Sequence, residues 1–380
     1  MLVKQHLFFC KAEVCLFLCN SQKYLNMVTA SRFPVTKVET SKMQDIPMEN
    51  IPFGKYFTDH MLEADYENGE WGNVEIKPYQ PLVMSPSLAA IHYGQSIFEG
   101  IKAYKDQEGN PYIFRPYDNL RRFNISAERM QMPTVPEELF IEGMRQLVAL
   151  DQNWIPGKPD HSLYIRPFMF SSDEVIGVKP SDTYKFMIIL SPTGPYYAAP
   201  MRIYVEENYT RAAPGGAGFA KAAGNYGASM LATAEAKNKG YDQVLWTDAF
   251  EHKYVQEIGT MNVFFMVGDM ALTPDLSQGT ILDGVSRSST ISVLKDMGYK
   301  VKEREISIDE LIEAYKTGIL HEVFGTGTAA TVSPIKELRY KDFVMHFNVD
   351  SWKVTPEIKR RLTDIREGRA EDQHGWMFKV

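Results

Sequence analysis

Residues 213–228 read A-P-G-G-A-G-F-A-K-A-A-G-N-Y-G-A, five glycines and a single lysine, Lys221, among small side chains. Glycine permits positive φ and removes side-chain bulk, so a run this dense lets backbone come close to a ligand, at an entropic cost that an ordinary loop does not carry. No acidic residue stands between Arg211 and Glu235 to fix the charge of Lys221. A desolvated lysine holds its proton less tightly, and its amine becomes nucleophilic toward a carbonyl. The ordinary alternative is a solvated surface lysine, and the rest of the chain has to decide between the two.

Upstream of this stretch, residues 191–200 carry three prolines and a glycine after the apolar strand predicted over 184–190. A linker is expected at 192–202, separating a smaller N-terminal domain (43–191) from a larger C-terminal one (203–380), with a ligand cleft between them. The predicted architecture is a two-domain α/β (α+β) fold. The run S-L-Y-I-R-P-F-M-F over 162–170 reads as a strand. Alternation points Tyr164 and Arg166 to the same face, where arginine either receives a carboxylate or faces water at an edge. A strand is expected over 110–114. Asp118 is the N-cap candidate of a helix with Leu120, Phe123, Ala127 and Met130 at helical spacing. Arg122 falls off that stripe in the first turn, as a solvated arginine or as an anion contact. A second helix is predicted over 136–150.

Downstream, a helix is expected over 228–239 and strands over 243–247 and 262–267. Glu257 stands before the second of these strands, either solvated or as a carboxylate facing a ligand. Residues 283–286, D-G-V-S, open a predicted helix whose free N–H groups make a phosphate seat or simply a well-capped end. Ser307 to Glu310 is a capping-box pattern before a helix ending at Gly318, and H-E-V-F then enters the small-residue turn G-T-G-T-A-A.

Composition narrows the function. At 380 residues, 44% hydrophobic and 23% charged, the chain has the make-up of a globular protein, and its net charge of −7 disfavours a nucleic-acid partner. No apolar run is long enough to span a bilayer. All three cysteines, Cys10, Cys15 and Cys19, lie in a leader interrupted by Lys11 and Glu13, so no disulfide framework holds the body of the chain. Residues 1–42 are expected to be an extension with little structural specification, with Met27 or Met43 nearer the natural start and a cytoplasmic location. The histidines show no metal-ligand spacing, and there is no G-x-S-x-G elbow or Walker A motif. What remains is a lysine, two small-residue turns, a helix N-terminus and an arginine. These are the parts that a phosphorylated carbonyl cofactor requires, and pyridoxal 5′-phosphate fits them, with Glu257 as partner for its pyridine nitrogen. A non-catalytic anion-binding module built on the same turns is the alternative from another class.

Ordered blocks over residues 50–380 carry a resemblance: H-Y-G-Q-S-I-F-E-G-I-K-A-Y, F-R-P-Y-D-N-L-R-R, S-L-Y-I-R-P, K-A-A-G-N-Y-G, Q-V-L-W, Q-E-I-G-T-M-N-V-F, G-V-S-R, E-V-F-G-T-G-T-A and G-R-A-E-D-Q-H-G-W. The chain resembles the branched-chain-amino-acid aminotransferases, fold-type IV enzymes dependent on pyridoxal phosphate. The resemblance implies that Lys221 forms the Schiff base and then moves the proton between substrate Cα and cofactor C4′. It implies that Tyr226 bonds the cofactor's phenolic oxygen, Glu257 pairs with the ring nitrogen and Thr260 lies against the ring. Arg122, the backbone of Val285 and Ser286, and Thr328 would hold the phosphate; Thr328 and Ala329 would receive the substrate α-carboxylate. Phe98, Tyr164 and Tyr196 would wall an apolar side-chain pocket, and Tyr93 and Arg166 would take the γ-carboxylate of glutamate. The substrates implied are leucine, isoleucine or valine with 2-oxoglutarate, and the assembly a homodimer whose cleft is completed by the neighbouring copy. A D-amino-acid aminotransferase or aminodeoxychorismate lyase keeps the same fold and cofactor; Arg166 in Y-I-R-P and the E-I-G-T-M-N block favour the branched-chain enzyme. Where mammalian members carry a C-x-x-C pair, this chain reads Ala330, Thr331, Val332, Ser333, which rules out a thiol switch of that kind.

Overall fold

The computed structural model describes residues 32–47, 51–195 and 199–380. Most of the expected extension, including Met27, lies outside them, as does Tyr196. Within 32–42 the backbone is tied to the fold. The amide of Thr36 donates to Ile76 O at 2.8 Å and that of Ile76 to Pro34 O at 2.9 Å, while Ser41 Oγ donates to Asp59 at 2.6 Å.

The first half of the described chain runs β1 (His60–Glu67), β2 (Glu70–Pro78), α1 (Ala89–Tyr93), β3 (Ser96–Phe98), β4 (Ile101–Lys105), β5 (Pro111–Phe114), α2 (Pro116–Arg129), α3 (Gly143–Leu150), β6 (Ser162–Ser171) and β7 (Tyr184–Thr193). Its strands form one sheet in the order β5-β4-β6-β7-β1-β2, with β3 paired to β6. Leu62, Ile165, Phe186 and Ile188 pack from this sheet against Phe123 of α2 and Leu147 of α3. The chain leaves the sheet after Thr193 and enters a second one at Met201.

The second half runs β8 (Met201–Val205), α4 (Ala223–Ala228), α5 (Met230–Asn238), β9 (Gln243–Thr247), β10 (Val255–Ile258), β11 (Met261–Val267), β12 (Met270–Thr273), α6 (Val285–Asp296), β13 (Lys300–Glu303), α7 (Ile308–Lys316), β14 (Leu320–Gly327), β15 (Thr331–Tyr340), β16 (Phe343–His346), α8 (Val354–Arg366) and β17 (Met377–Lys379). Its sheet runs β10-β9-β8-β15-β14-β11-β12-β13, and a further β10–β11 pairing closes the first six strands into a ring, which removes their free edges. The last strand, β17, returns to pair with β5, so the C-terminus completes the first sheet rather than the second.

Several boundaries differ from the sequence reading for local reasons. Helix α2 begins at Pro116 with Arg115 as N-cap, because proline suits a first helical position; Asp118 falls inside the first turn. Arg122 is therefore one turn further in, on the buried face with Asn119, Phe123 and Ser126, not off it. Residues 138–142 form a π-helical turn before α3. The helix expected from 228 starts five residues earlier, at Ala223, and is interrupted at Ser229. Ser307 caps α7 as its pattern predicts, accepting from the Glu310 amide at 3.1 Å.

Candidate active site

Lys221 sits where the two sheets meet. Its carbonyl accepts from the Phe98 amide at 3.1 Å, beside a bridge between Ile97 and Ala222, and its own amide donates to Ser126 Oγ of α2 at 2.9 Å. Backbone on both sides thus fixes the lysine stem. Its Nζ donates to Tyr226 Oη at 2.7 Å and stands 4.8 Å from the Phe98 ring centroid. Of the five glycines around it, two are required by close approach: a Cβ on Gly218 would lie 2.5 Å from Thr280 O, and one on Gly216 2.9 Å from Ala213 O. Gly215 has positive φ (78°), whereas Gly224 lies in helix α4 with open space beside it. At Gly216 and Gly218 the run closes protein against protein.

Lys221 opens into a cavity of about 220 Å³ that Phe98, Arg122, Tyr164, Arg166, Tyr226, Thr260, Val285, Ser286, Thr328 and Ala329 also line. Strand β6 carries Tyr164 and Arg166 to the same side, as its alternation predicts, and Arg166 Nη2 donates to Tyr164 Oη at 3.1 Å. The Arg166 guanidinium lies over Phe98 at 4.5 Å, and its buried Nε has no partner among the described residues. Gly100 makes room for Tyr164, since a Cβ there would fall 2.2 Å from Tyr164 Oη.

Arg122 reaches the cavity from α2. Its Nε and Nη2 bind both oxygens of Glu99 at 2.7 Å, and Nη1 donates to Asp283 O at 2.9 Å. A guanidinium has five N–H groups, so two remain for an anion. Opposite it, α6 starts after Gly284, and the amides of Val285 and Ser286 have no preceding helical carbonyl to bond. Arg115 holds this helix end from behind, donating to Val285 O at 3.3 Å and to Ser288 Oγ and Ser289 Oγ at 2.8 Å each.

Glu257 and Thr260 come from the β10–β11 hairpin, whose two-residue turn uses Gly259 at positive φ (54°). Glu257 is 3% exposed. Its Oε2 pairs with Arg211 Nε at 2.7 Å and its Oε1 accepts from the Leu282 amide at 2.9 Å. Burial pushes its carboxyl above the ordinary glutamate value, against the opposing pull of the Arg211 guanidinium. It lines a small recess beside the main cavity, sharing Tyr226, Thr260 and Leu282 with it.

Tyr93 ends α1, is 38% exposed and does not line this cavity. Sequence reasoning missed Glu99, Arg211, Ser126 and Arg115. Glu99 left a signal, an acidic residue inside an apolar run; the other three owe their roles to partners far away in the chain.

The model of the amino-transferase class IV family matches residues 96–338. A probable branched-chain-amino-acid aminotransferase of Staphylococcus epidermidis is 48% identical over 337 residues, covering 87% of this chain and 94% of that protein. Branched-chain-amino-acid transaminase 1 of Bacillus subtilis is 47% identical over the same shares of each chain. Among solved structures, a T.th. branched-chain amino acid aminotransferase complexed with N-(5′-phosphopyridoxyl)-L-glutamate superposes with a TM-score of 0.67 at 28% identity, over 83% of this chain and 98% of that one.

Proposed function

This chain belongs to the class IV aminotransferases and, within them, to the branched-chain-amino-acid aminotransferases; we propose that it moves an amino group reversibly between leucine, isoleucine or valine and 2-oxoglutarate, with pyridoxal 5′-phosphate held at Lys221. The observation that carries this reading is the convergence on one cavity of the Lys221 amine and the Arg166 guanidinium, whose Nε has no partner among the described residues.

The residues present fit the cofactor. The open end of α6 and the two spare N–H groups of Arg122 suit a phosphate, helped by Thr328; the buried carboxylate of Glu257 suits a protonated ring nitrogen; and Tyr226 Oη suits a phenolic oxygen. When bound, pyridoxal phosphate supplies a carbonyl that takes up the amino group and a ring that spreads negative charge. Lys221 Nζ would hold the cofactor covalently and, once free, would take the proton from substrate Cα and return it on the other side of the exchange, with Tyr226 fixing its position. Two half-reactions on one lysine give ping-pong kinetics. Thr328 and Ala329 receive the substrate α-carboxylate, Thr260 supports the ring, and Phe98 and Tyr164 wall the side-chain pocket.

Arg166 serves the second substrate. Its guanidinium lies over the rings of Phe98 and Tyr164, so aliphatic side chains pack against those rings while a γ-carboxylate meets its free donors. Arg166→Met is expected to raise KM for glutamate by about 30-fold or more, the loss of a charge-assisted pair, and to change KM for leucine only a few-fold. Steady-state kinetics with each donor read the difference; equal losses for both would contradict the assignment. Turnover of D-alanine without L-leucine would instead favour a D-amino-acid aminotransferase.

Arg115 acts through α6. Arg115→Ala removes three hydrogen bonds to that helix's first turn, so affinity for pyridoxal phosphate is expected to fall about tenfold, with turnover at saturating cofactor little changed. Fluorescence titration of the apoprotein checks this, and unchanged affinity would remove Arg115 from the phosphate seat.

The reading includes a cytoplasmic homodimer. No helix among the described residues is long and apolar enough to cross a membrane. Val83, Met84, Ile91, Tyr93, Ile176 and Val178 are exposed on the first half of the chain, an apolar surface of the kind that a second copy covers. Such a dimer gives Tyr93 a role at the neighbouring copy's cleft.

A further inference from the structure

A second cavity, of about 340 Å³, lies against residues 329–334 and shares Ala329 and Ala330 with the first. Val332, Pro334 and Trp352 give it an apolar wall, and Lys102, Lys359 and Asp160 also line it. Lys102 belongs to β4, opposite Tyr164 in the sheet, and is 6% exposed. Its Nζ donates to Ala329 O at 3.1 Å and, among the described residues, forms no ion pair. An ammonium carries three N–H donors, so two are left without a protein acceptor in a setting where an unpaired buried charge is costly. Burial, with the Arg366 guanidinium beyond, pulls Lys102 down to about 7. The nearest carboxylate, Asp160, is half-exposed and already pairs with Lys359 at 3.4 Å. The cavity therefore combines apolar walls with a shortage of negative charge.

We propose that this cavity is a binding site for a small carboxylic acid with an aliphatic body, of the 2-oxo acid class, whose carboxylate pairs with Lys102. A zwitterionic amino acid is a poorer occupant, because its ammonium would be set against Lys102 and Lys359. The site adjoins the one that holds Lys221, and it bears on it through Ala329. Under the function proposed above, the Ala329 amide receives the substrate carboxylate, so an acid drawn to Lys102 loosens or reorients the carbonyl that steadies that turn.

The test uses the full chain freed of its cofactor and reloaded with N-(5′-phosphopyridoxyl)-L-glutamate, which fills the catalytic cavity, and 4-methylvaleric acid as the probe in calorimetry. One equivalent of probe is expected to bind to the filled wild type. Lys102→Met should weaken that binding at least about tenfold, the loss of a buried charge pair, and Lys359→Met at the half-exposed rim only a few-fold. No binding to the filled wild type overturns the site, as does unchanged affinity in Lys102→Met; should that variant fail to fold, the wild-type titration decides alone. Failure of the phosphopyridoxyl adduct itself to bind would count against the reading of the first cavity, a different outcome.

Discussion

Lys221→Arg is expected to lose amino transfer by on the order of 10⁴-fold or more, because one residue supplies both the nucleophile and the general base. Arginine keeps the positive charge and reaches Tyr226 and the face of Phe98, which stand next to the lysine amine. It stays protonated at any working pH, so it neither attacks a carbonyl nor takes a proton from carbon. The backbone bonds from Phe98 and to Ser126 do not involve the side chain, and folding should be preserved. A coupled assay with L-leucine and 2-oxoglutarate measures the loss, and thermal unfolding shows that the protein is intact. Near-normal turnover would remove Lys221 from the chemistry and return the cavity to an anion-binding role.

Glu257→Gln is expected to cost both stability and rate. It removes the partner of Arg211, whose side chain is 7% exposed, and an uncompensated buried charge costs about 3–5 kcal/mol. Glutamine still accepts from the Leu282 amide, so the hairpin keeps its register. A neutral amide does not hold a proton on the ring nitrogen as a carboxylate does, and turnover should fall on the order of 100-fold. The double variant Glu257→Gln with Arg211→Met separates the two effects: it removes the unpaired charge but also the Arg211 bonds to Thr280 O and Gly218 O, so it should recover part of the stability and none of the rate. Full recovery of both would reduce Glu257 to a structural partner of Arg211.

The legible part of this molecule was carried by local pattern. Alternation in 162–171 put Tyr164 and Arg166 on one face, and the capping pattern at Ser307 located a helix start. Arg122 shows where local pattern stops. Its position off an apolar stripe left a solvated arginine and an anion contact both open, and a single buried carboxylate, Glu99, draws it inward by meeting the guanidinium with two hydrogen bonds. The Arg211–Glu257 pair and the hold of Arg115 on α6 likewise depend on which strands and helices become neighbours, and no spacing within the sequence encodes that. The return of β17 to the first sheet is a long-range pairing of the same kind.

The most direct test of the central assignment is the visible absorption of the purified protein supplied with pyridoxal phosphate, recorded before and after L-leucine, with a borohydride-treated sample digested for peptide mass. A yellow band that leucine bleaches, with the reduced cofactor on the peptide containing Lys221, is the expected result. A protein that stays colourless, or a label on any other lysine, would contradict it.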